Sequence, residues 1–438
     1  MTLKSAIANV CARISKSRQT IRSVTALFSS SIVSALLTAV GGLLVARFLW
    51  PEETGAFRAF TIPLTYLIFL HLGTWDGLWR QIPYHVGKEN LERVDRLASA
   101  GGAFNLFVSA CVSCGFLCCA AYRLIHGDLY GVFGWLSQAV LAWGVFYGGY
   151  LTSTYRTMHH FVTLARIQVA QSLLTFGMVF LLPFLRFYGL CARAGLPSLL
   201  AVWLYHRNRP LKVSYGFDAR ALRELIRTGL PFSFWGNLYT SIWNATESAL
   251  VLSLDSVSAL GLFSVAVVIR AAACSLPRAV WQVLTPRVVT AFARDGSVRK
   301  ANGGIIGVTA GLTGGMILLA CAGSFVLEGF VPHFIPKYVA GIQVMKVCLW
   351  FSVVEAAFLP MNSLFATGQP WVYGRGILAG IVVFPLATYL LYPVMGGLLA
   401  VATGSLLGRA ARTLAAYADL ALLRRREIAL ERGYGRGD

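Results

Sequence analysis

Charged side chains inside otherwise apolar stretches are the residues of this sequence best suited to bind a ligand or an ion. Arg270 and Arg278 lie in the apolar stretch 260–283, and Glu247 and Glu355 lie in two others. A charge in hydrocarbon is costly unless it is paired or faces a wet cavity. Two interpretations stay open. The arginines pair with Glu247 or Glu355, or they bind an anion such as pyrophosphate, whose oxygens match the planar guanidinium donors.

A polar stripe runs along another apolar stretch. Its members recur at helical spacing and share one face: Asn237, Thr240, Ser241, Asn244, Glu247 and Ser248. We predict that Asn237, Ser241, Asn244 and Glu247 line a substrate cavity, because a carboxylate is rare in a simple helix contact. Glu247 and Glu355 are also candidates for ion or proton coupling, since a carboxyl in a low-dielectric site exchanges protons near neutral pH.

A weaker coupling candidate is Asp76. It stands four residues before Arg80, which is the spacing of an ordinary salt bridge within one helix. That pairing is the favoured interpretation, and a role of Asp76 in coupling is the alternative.

The sequence holds nine cysteines, four of them clustered at Cys111, Cys114, Cys118 and Cys119. Helical spacing puts three of these on one face, which allows a metal site, but a cysteine in an apolar helix is more often a small packing residue. We predict no metal, no disulfide, no cofactor and no catalytic residue.

The elements that carry these residues follow from composition. Of the 438 residues, 57% are hydrophobic and 13% are charged, and the mean hydropathy is +0.65. Windows of about 20 apolar residues, enough to cross a bilayer, recur along the whole chain. Twelve spans are predicted, centred on 31–48, 60–79, 100–121, 132–150, 162–182, 188–205, 230–252, 260–283, 304–326, 342–359, 377–391 and 394–415.

The distribution of basic residues supports an even number of spans. With the N-terminus in the cytoplasm, most of the 38 Lys and Arg residues fall in cytoplasmic loops and tails, as the positive-inside rule requires. The opposite side receives only Arg58, Arg123, Arg186, Arg193, Lys337 and Lys346. Five more lie in or at the edge of spans: Arg47, Arg270, Arg278, Arg409 and Arg412. The net charge of +20 therefore reflects topology and anionic lipid headgroups, and we expect no nucleic-acid partner.

The predicted organisation is an all-α polytopic membrane protein with two pseudo-symmetric six-helix bundles. Its segments are a basic cytoplasmic N-terminus (1–22), an N-terminal bundle (23–205), a cytoplasmic linker (206–227), a C-terminal bundle (228–415) and a basic cytoplasmic tail (416–438). Gly55-Ala56-Phe57 and Gly261-Leu262-Phe263 match at an offset of 206 residues, which favours an internal duplication. Duplicated bundles are common in transporters, whose substrates bind at the interface of the repeats.

Three stretches resemble the polysaccharide exporters, including O-antigen flippases of the Wzx type, within the multidrug/oligosaccharidyl-lipid/polysaccharide superfamily. They are 42–57, where Trp50 and Thr54 depart from the family's usual Gly-Pro-Glu-Glu-Tyr-Gly run; 222–232; and 261–266 followed by Leu276-Pro277 and Pro286-Arg287. The motifs cover a small part of the chain, but they occur in the family's order.

The resemblance implies a fold like that of the multidrug and toxic-compound exporters, and alternating access that moves an undecaprenyl-pyrophosphate-linked oligosaccharide across a bacterial inner membrane. Arg47, Arg270 and Arg278 would then hold the pyrophosphate, and the polar stripe around Asn244 would meet sugar hydroxyls. Expected partners are the lipid-linked oligosaccharide, membrane lipids and other polysaccharide assembly proteins.

Two other functions stay open as alternatives. A multidrug or cation exporter of the same superfamily would want an acidic cavity for cationic substrates, whereas arginines outnumber acids here. A membrane polymerase or ligase would be expected to carry a large external loop rich in acids and arginines, but the longest predicted external loop, 327–346, is short. We therefore expect no enzyme. A flippase for the cell-wall lipid precursor shares the mechanism but usually carries two further helices.

Overall fold

The structure, a computed structural model, describes residues 33–281, 305–361 and 370–434, together with Leu284, Val288 and Ser297. The predicted N-terminal segment 1–22 and most of the basic loop 287–300 lie outside these residues.

Helices occupy nearly all of the described chain, and no strand occurs within it. In chain order they are α1 (Val33–Phe48), α2 (Pro51–Tyr66), α3 (Thr74–Gly87), α4 (Leu91–Ile125), α5 (Leu129–Thr157), α6 (Phe161–Gly177), α7 (Leu182–Arg207), α8 (Ala219–Asn237), α9 (Trp243–Leu254), α10 (Val257–Ala273), α11 (Ser275–Trp281), α12 (Ile305–Phe334), α13 (Ile342–Ala357), α14 (Pro370–Met395) and α15 (Gly397–Tyr434). The all-α prediction is confirmed.

Local sequence explains where several helices begin. Asn90, Asp128 and Ser256 precede α4, α5 and α10, and each side chain accepts a hydrogen bond from a backbone N–H of the first turn. Asp218 caps α8 outside the apolar segments, and its bonds from the backbone N–H groups of Ala221 and Arg220 lower the pKa of its carboxyl. Gly396, with φ of +75°, separates α14 from α15.

A helical segment lies on each of the twelve predicted spans. Seven stretches of the described chain are long and apolar enough to cross a membrane, and an eighth qualifies if α10 and α11, bent by 41°, are one span. One of the seven, Phe161–Arg207, has 47 residues. At about 1.5 Å per residue it is roughly twice the thickness of the hydrocarbon core, and Arg186 breaks it with φ of 48°. This stretch therefore has the length of the two separate spans predicted there.

The predicted loop between the first two spans is wrong in detail, because α2 already begins at Pro51. Proline fits the first helical position, where its missing N–H costs nothing, and Glu52 and Glu53 favour the helix N-terminus. The Glu53 carboxylate accepts a hydrogen bond from the Trp50 backbone N–H at 2.9 Å. Arg58, assigned to a loop from the sequence, lies inside this helix.

The chain divides into two compact units. The first contains the residues up to Gly41 together with Ile68–Leu230, and the second contains Gly42–Leu67 together with Pro231–Asp438. Large buried side chains form a core in each: Leu78, Leu97 and Tyr150 in the first, and Phe263, Tyr338 and Phe351 in the second. The predicted bundle boundaries, which follow membrane topology and not packing, stay a prediction.

Within the second unit, α2 and α10 cross at two glycines. A Cβ added to Gly55 would lie 1.8 Å from the carbonyl oxygen of Val257, and one added to Gly261 would lie 1.8 Å from that of Pro51. The two contacts are equivalent under the 206-residue offset of the repeated motif. Ser258 donates to the Glu52 carboxylate at 2.9 Å under the same offset. The two copies of the repeated motif, one on α2 and one on α10, therefore cross each other about a local pseudo-twofold axis.

Replacement of Gly55 by alanine should destabilise the protein, because the new methyl group has no room against the Val257 carbonyl. We expect the free energy of unfolding to fall by about 1–3 kcal/mol, the usual range for overpacking. Thermal unfolding in detergent measures it. Gly115→Ala on α4 is the control, since no atom lies within 4 Å of that Cβ. Equal melting temperatures for the two variants would contradict the close contact between α2 and α10 at Gly55.

Candidate functional site

A cavity of about 480 Å³ lies in the second unit, among α9, α10, α11, α13 and α15. Its charged lining consists of Arg270, Arg278, Glu355, Arg409 and Arg412. Its aromatic lining consists of Tyr239, Trp281, Phe351 and Phe358. Apart from Arg278, which is exposed, these arginines are buried.

The centre of the charged cluster is a bidentate ion pair. Arg270 donates from both terminal nitrogens to the two carboxylate oxygens of Glu247, each at 2.8 Å, and Glu247 is 0% exposed. Ser405 donates a further short hydrogen bond to the same carboxylate. Asn244, one helical turn before Glu247, accepts from Arg270 at 3.1 Å. Such fork-to-fork geometry is the strongest form of this pairing.

A second carboxylate, Glu355 on α13, meets two arginines of α15. Arg409 donates to it at 3.3 Å, while the nearest nitrogen of Arg412 stays 3.8 Å away, which is an ion pair but not a hydrogen bond. Tyr239 donates a short hydrogen bond to Glu355 and accepts one from Arg409 at 2.8 Å. The two carboxylates are thus joined through Arg409, whose other terminal nitrogen lies 3.7 Å from Glu247.

Aromatic rings hold the arginines in place. The guanidinium carbon of Arg412 lies 3.9 Å from the ring centroid of Tyr239 and 3.8 Å from that of Phe358, so its plane is enclosed between two rings. Arg270 lies 4.8 Å from the Phe351 ring. Cation–π contacts of this kind stabilise a guanidinium group without consuming its hydrogen-bond donors.

A π-helical segment, Leu238–Ile242, joins α8 to α9 and carries Tyr239 into the cluster. The wider turn shifts the helical register, so Tyr239 reaches Glu355 while Asn244 and Glu247 reach Arg270. Insertions of this type are frequent at functional sites.

Positive charge exceeds negative charge in this cluster. Arg270, Arg409 and Arg412 are buried with two carboxylates, and Arg278 adds a fourth positive charge at the exposed rim. The Nε of Arg409 and the Nε and Nη2 of Arg412 are buried and have no hydrogen-bond acceptor within the described part of the chain. Unmet donors on buried cations favour an anionic ligand, because leaving them unpaired is costly.

Arg58 adds a further charge beside the cluster. It lies on α2, its Nε donates to the Ser248 hydroxyl at 3.2 Å, and its charge acts on both Arg270 and Glu247. The sequence interpretation missed Arg58 by assigning it to a loop.

The structure brings together five of the predicted site residues: Arg270, Arg278, Asn244, Glu247 and Glu355. Arg270 pairs with Glu247, which is the first of the two interpretations left open for it, and it also lines the cavity. Anion binding, the second interpretation, stays a prediction. The remaining predicted residues lie elsewhere.

Five predicted residues do not line the cavity, and one of them is Glu247, which is fully buried in its pair with Arg270. Asn237 donates to Ser233 at 2.9 Å, and Ser241 is half-buried in the π segment. Arg47 is exposed and donates to the Phe334 carbonyl at 2.6 Å, at the end of α12. Asp76 lies in the first unit, on α3, where its charge acts on Arg80 one turn away.

Arg409, Arg412 and Tyr239 are functional candidates that sequence reasoning did not select. The available signal was that Arg409 and Arg412 stand three residues apart inside the last predicted span, on one helical face. The cysteines of α4 that allowed a metal site are all exposed, and no group of metal-binding side chains is found among the described residues.

Substitution of Glu247 by glutamine tests the central ion pair. The variant keeps the shape of the side chain but leaves Arg270 without its counter-charge in a buried site. We expect the free energy of unfolding to fall by about 3–5 kcal/mol, as when one partner of a buried pair is removed. Thermal unfolding measures it.

The control is Glu328→Gln, which breaks the exposed pair with Lys346 and should change stability by only about 0–1 kcal/mol. Similar melting temperatures for Glu247→Gln and the wild type would mean that the buried pair is not formed.

No protein-family model matches the sequence, and the search of curated proteins gives no match. Solved structures do match. An inward-facing multidrug resistance MATE family transporter of the MOP superfamily superposes with a TM-score of 0.71 at 15% identity, covering 91% of this chain and 96% of the other. The lipid II flippase MurJ, in an inward closed conformation, gives 0.65 at 13% identity over 92% and 90%. The chain therefore has the fold shared by MATE transporters and MurJ.

Proposed function

We propose that this protein is a flippase that moves an undecaprenyl-pyrophosphate-linked oligosaccharide across the membrane by alternating access. The observation that carries the proposal is the excess of buried arginine in a cavity whose guanidinium donors are partly unmet. Arg409 and Arg412 offer three such donors between them. A pyrophosphate supplies several strong acceptors and two or more negative charges, which match this set.

The cluster supports a binding cycle in which the acids and the ligand exchange. When no ligand is bound, Glu247 and Glu355 hold the arginines apart and compensate part of their charge. A bound pyrophosphate replaces the weak contact of Glu355 with Arg412, which is 3.8 Å long, while the bidentate pair of Glu247 keeps Arg270 in place. Glu355 is therefore our leading candidate for coupling, ahead of the fully paired Glu247 and of Asp76 in the first unit.

The aromatic lining fits the rest of the cargo. Sugar rings present apolar faces that pack on aromatic side chains, and Trp281 offers such a ring in the cavity lining. Asn244 and Thr240 add an amide and a hydroxyl that hydrogen-bond sugar hydroxyl groups.

A multidrug exporter is the competing function, since a structural neighbour is named a multidrug resistance transporter. Its cargo is expected to be cationic. The surplus of arginine over glutamate repels such cargo, because two like charges about 4 Å apart cost roughly 4 kcal/mol at a protein surface. The anionic cargo is therefore preferred.

The same proposal assigns a location and partners. The concentration of Lys and Arg in alternate loops supports a bacterial inner membrane with both termini in the cytoplasm. Other polysaccharide assembly proteins would supply and receive the cargo, and we propose no enzymatic activity for the chain itself.

Transport in proteoliposomes tests the proposal. The cargo is a labelled undecaprenyl-pyrophosphate oligosaccharide, and the readout is its accessibility at the opposite leaflet. The wild type should move it, and Arg412→Gln should reduce transport by about tenfold or more, because hydrogen bonds to a charged group are lost. Arg375→Gln is the matched control in the same unit, since Arg375 is half-exposed and pairs with Asp419 at 3.1 Å, outside the cavity.

Three results would contradict this function: the wild type leaves several such lipids in place, it moves a small cationic drug instead, or Arg412→Gln transports as well as Arg375→Gln. The second of these would favour the multidrug exporter. Melting temperatures of both variants separate a loss of binding from a loss of folding.

A further inference from the structure

The first unit contains a half-buried arginine that the proposed pyrophosphate site does not use. Arg193 lies near the middle of α7, a helix of 26 residues inside an apolar stretch. We predicted from the sequence that Arg193 lies in an external loop. It lies instead within α7, which already begins at Leu182. A charged side chain at such a position normally serves a partner helix or a polar pathway.

The contacts of Arg193 leave its charge uncompensated. Its Nε donates to the carbonyl oxygen of Thr175 on α6 at 3.0 Å, and one terminal nitrogen lies 3.4 Å from the position of a Cβ on Gly41. Within the described residues no carboxylate pairs with it, and neither terminal nitrogen has a hydrogen-bond acceptor. The Thr175 carbonyl therefore orients the guanidinium group, and the end that carries both terminal nitrogens remains available.

The face of α6 that carries Thr175 is polar. Gln168, Gln171, Ser172 and Thr175 recur along one face of α6 at spacings of three and four residues, and all are half-buried. Ser172 donates to Ser34 on α1 at 2.9 Å. Amides and hydroxyls are the groups that recognise sugar hydroxyls, and an arginine with two free terminal nitrogens accepts a carboxylate bidentately.

We propose that α1, α6 and α7 form a second subsite, which binds the carboxylate of an acidic sugar in the cargo through Arg193. The inference rests on the proposed flippase function and adds to it a class of substrate, an oligosaccharide that carries a uronic acid. The oxyanion chemistry alone would also admit the phosphate of a phospholipid headgroup, so the test separates the two sources.

The experiment compares two cargoes in proteoliposomes. Both are undecaprenyl-pyrophosphate oligosaccharides of the same length, one with a glucuronic acid residue and the other with glucose in its place. Arg193→Gln keeps a donor for the Thr175 carbonyl but removes the charge, and Arg193→Lys keeps the charge but loses the planar fork. Arg166→Gln, an exposed arginine on the same hairpin of helices, is the control.

We expect Arg193→Gln to lower transport of the acidic cargo about tenfold and to leave the neutral cargo within about twofold of the wild type. Transport of the acidic cargo by Arg193→Lys should lie between that of the wild type and that of Arg193→Gln. Arg166→Gln should transport both cargoes as the wild type does. A selective loss of this kind cannot arise from a purely structural role, which would reduce both cargoes together and lower the melting temperature.

Equal effects on both cargoes, or no effect on either, would overturn the subsite and leave the flippase function standing. If the effect of Arg193→Gln appears only in vesicles containing phosphatidylglycerol and is the same for both cargoes, the ligand is a headgroup and the sugar subsite is wrong. Failure of the wild type to move either cargo would overturn the proposed function and this inference with it.

Discussion

Hydrocarbon offers no water to a charged side chain, and the second unit of this protein must satisfy three buried arginines with two carboxylates. At the centre of the cluster, the bidentate pair with Glu247 compensates the charge of Arg270. The remaining charge is distributed over Glu355, Tyr239 and the rings that enclose Arg412. Four of the five helices around the cavity, α9, α10, α13 and α15, each place at least one member of this network. Charged contacts between these helices therefore hold the unit together, although the cluster still carries more positive than negative charge.

The crossing of α2 and α10 supports this cluster from one side. Two glycines related by the 206-residue repeat allow the backbones to touch, and the contact brings α2 beside α9, so that Arg58 reaches Ser248. A side chain at either glycine would separate the helices and remove Arg58 from the field of Glu247. Small residues at such crossings are the usual means by which membrane helices approach closely, since lipid supplies no hydrophobic drive to press them together. The repeated motif thus has a structural consequence, because it forms the contact between α2 and α10.

Much of the fold could be predicted from sequence because apolar length alone locates a membrane helix, and each predicted span carries a helical segment. The errors have physical causes. Pro51, Glu52 and Glu53 suggest a loop by composition, but proline and acids are also what a helix N-terminus prefers.

Within the site, Arg270 and Glu247 were recognisable as buried charges, whereas the role of Arg409 and Arg412 depends on Glu355 and Tyr239, which are far away in sequence. Arg47 shows the converse. The family resemblance implied that Arg47 holds the pyrophosphate, yet a backbone carbonyl of α12 and the Phe334 ring account for its contacts.

The two arginine sites differ in how firmly the protein holds them, and this difference follows from what each would recognise. Arg270 is fixed by two carboxylate bonds, and Arg412 by two rings, so their geometry is set before a ligand arrives. Preorganisation of this kind suits a group that is identical in every cargo, as a pyrophosphate is. Arg193 is held by one carbonyl, that of Thr175, on the face of α6 that also carries Gln168, Gln171 and Ser172. A loosely held cation among adaptable polar groups suits a sugar, whose hydroxyls vary in orientation from one glycan to the next. Rigid recognition of the constant part and adaptable recognition of the variable part would let a single fold serve diverging polysaccharides by substitutions confined to the first unit.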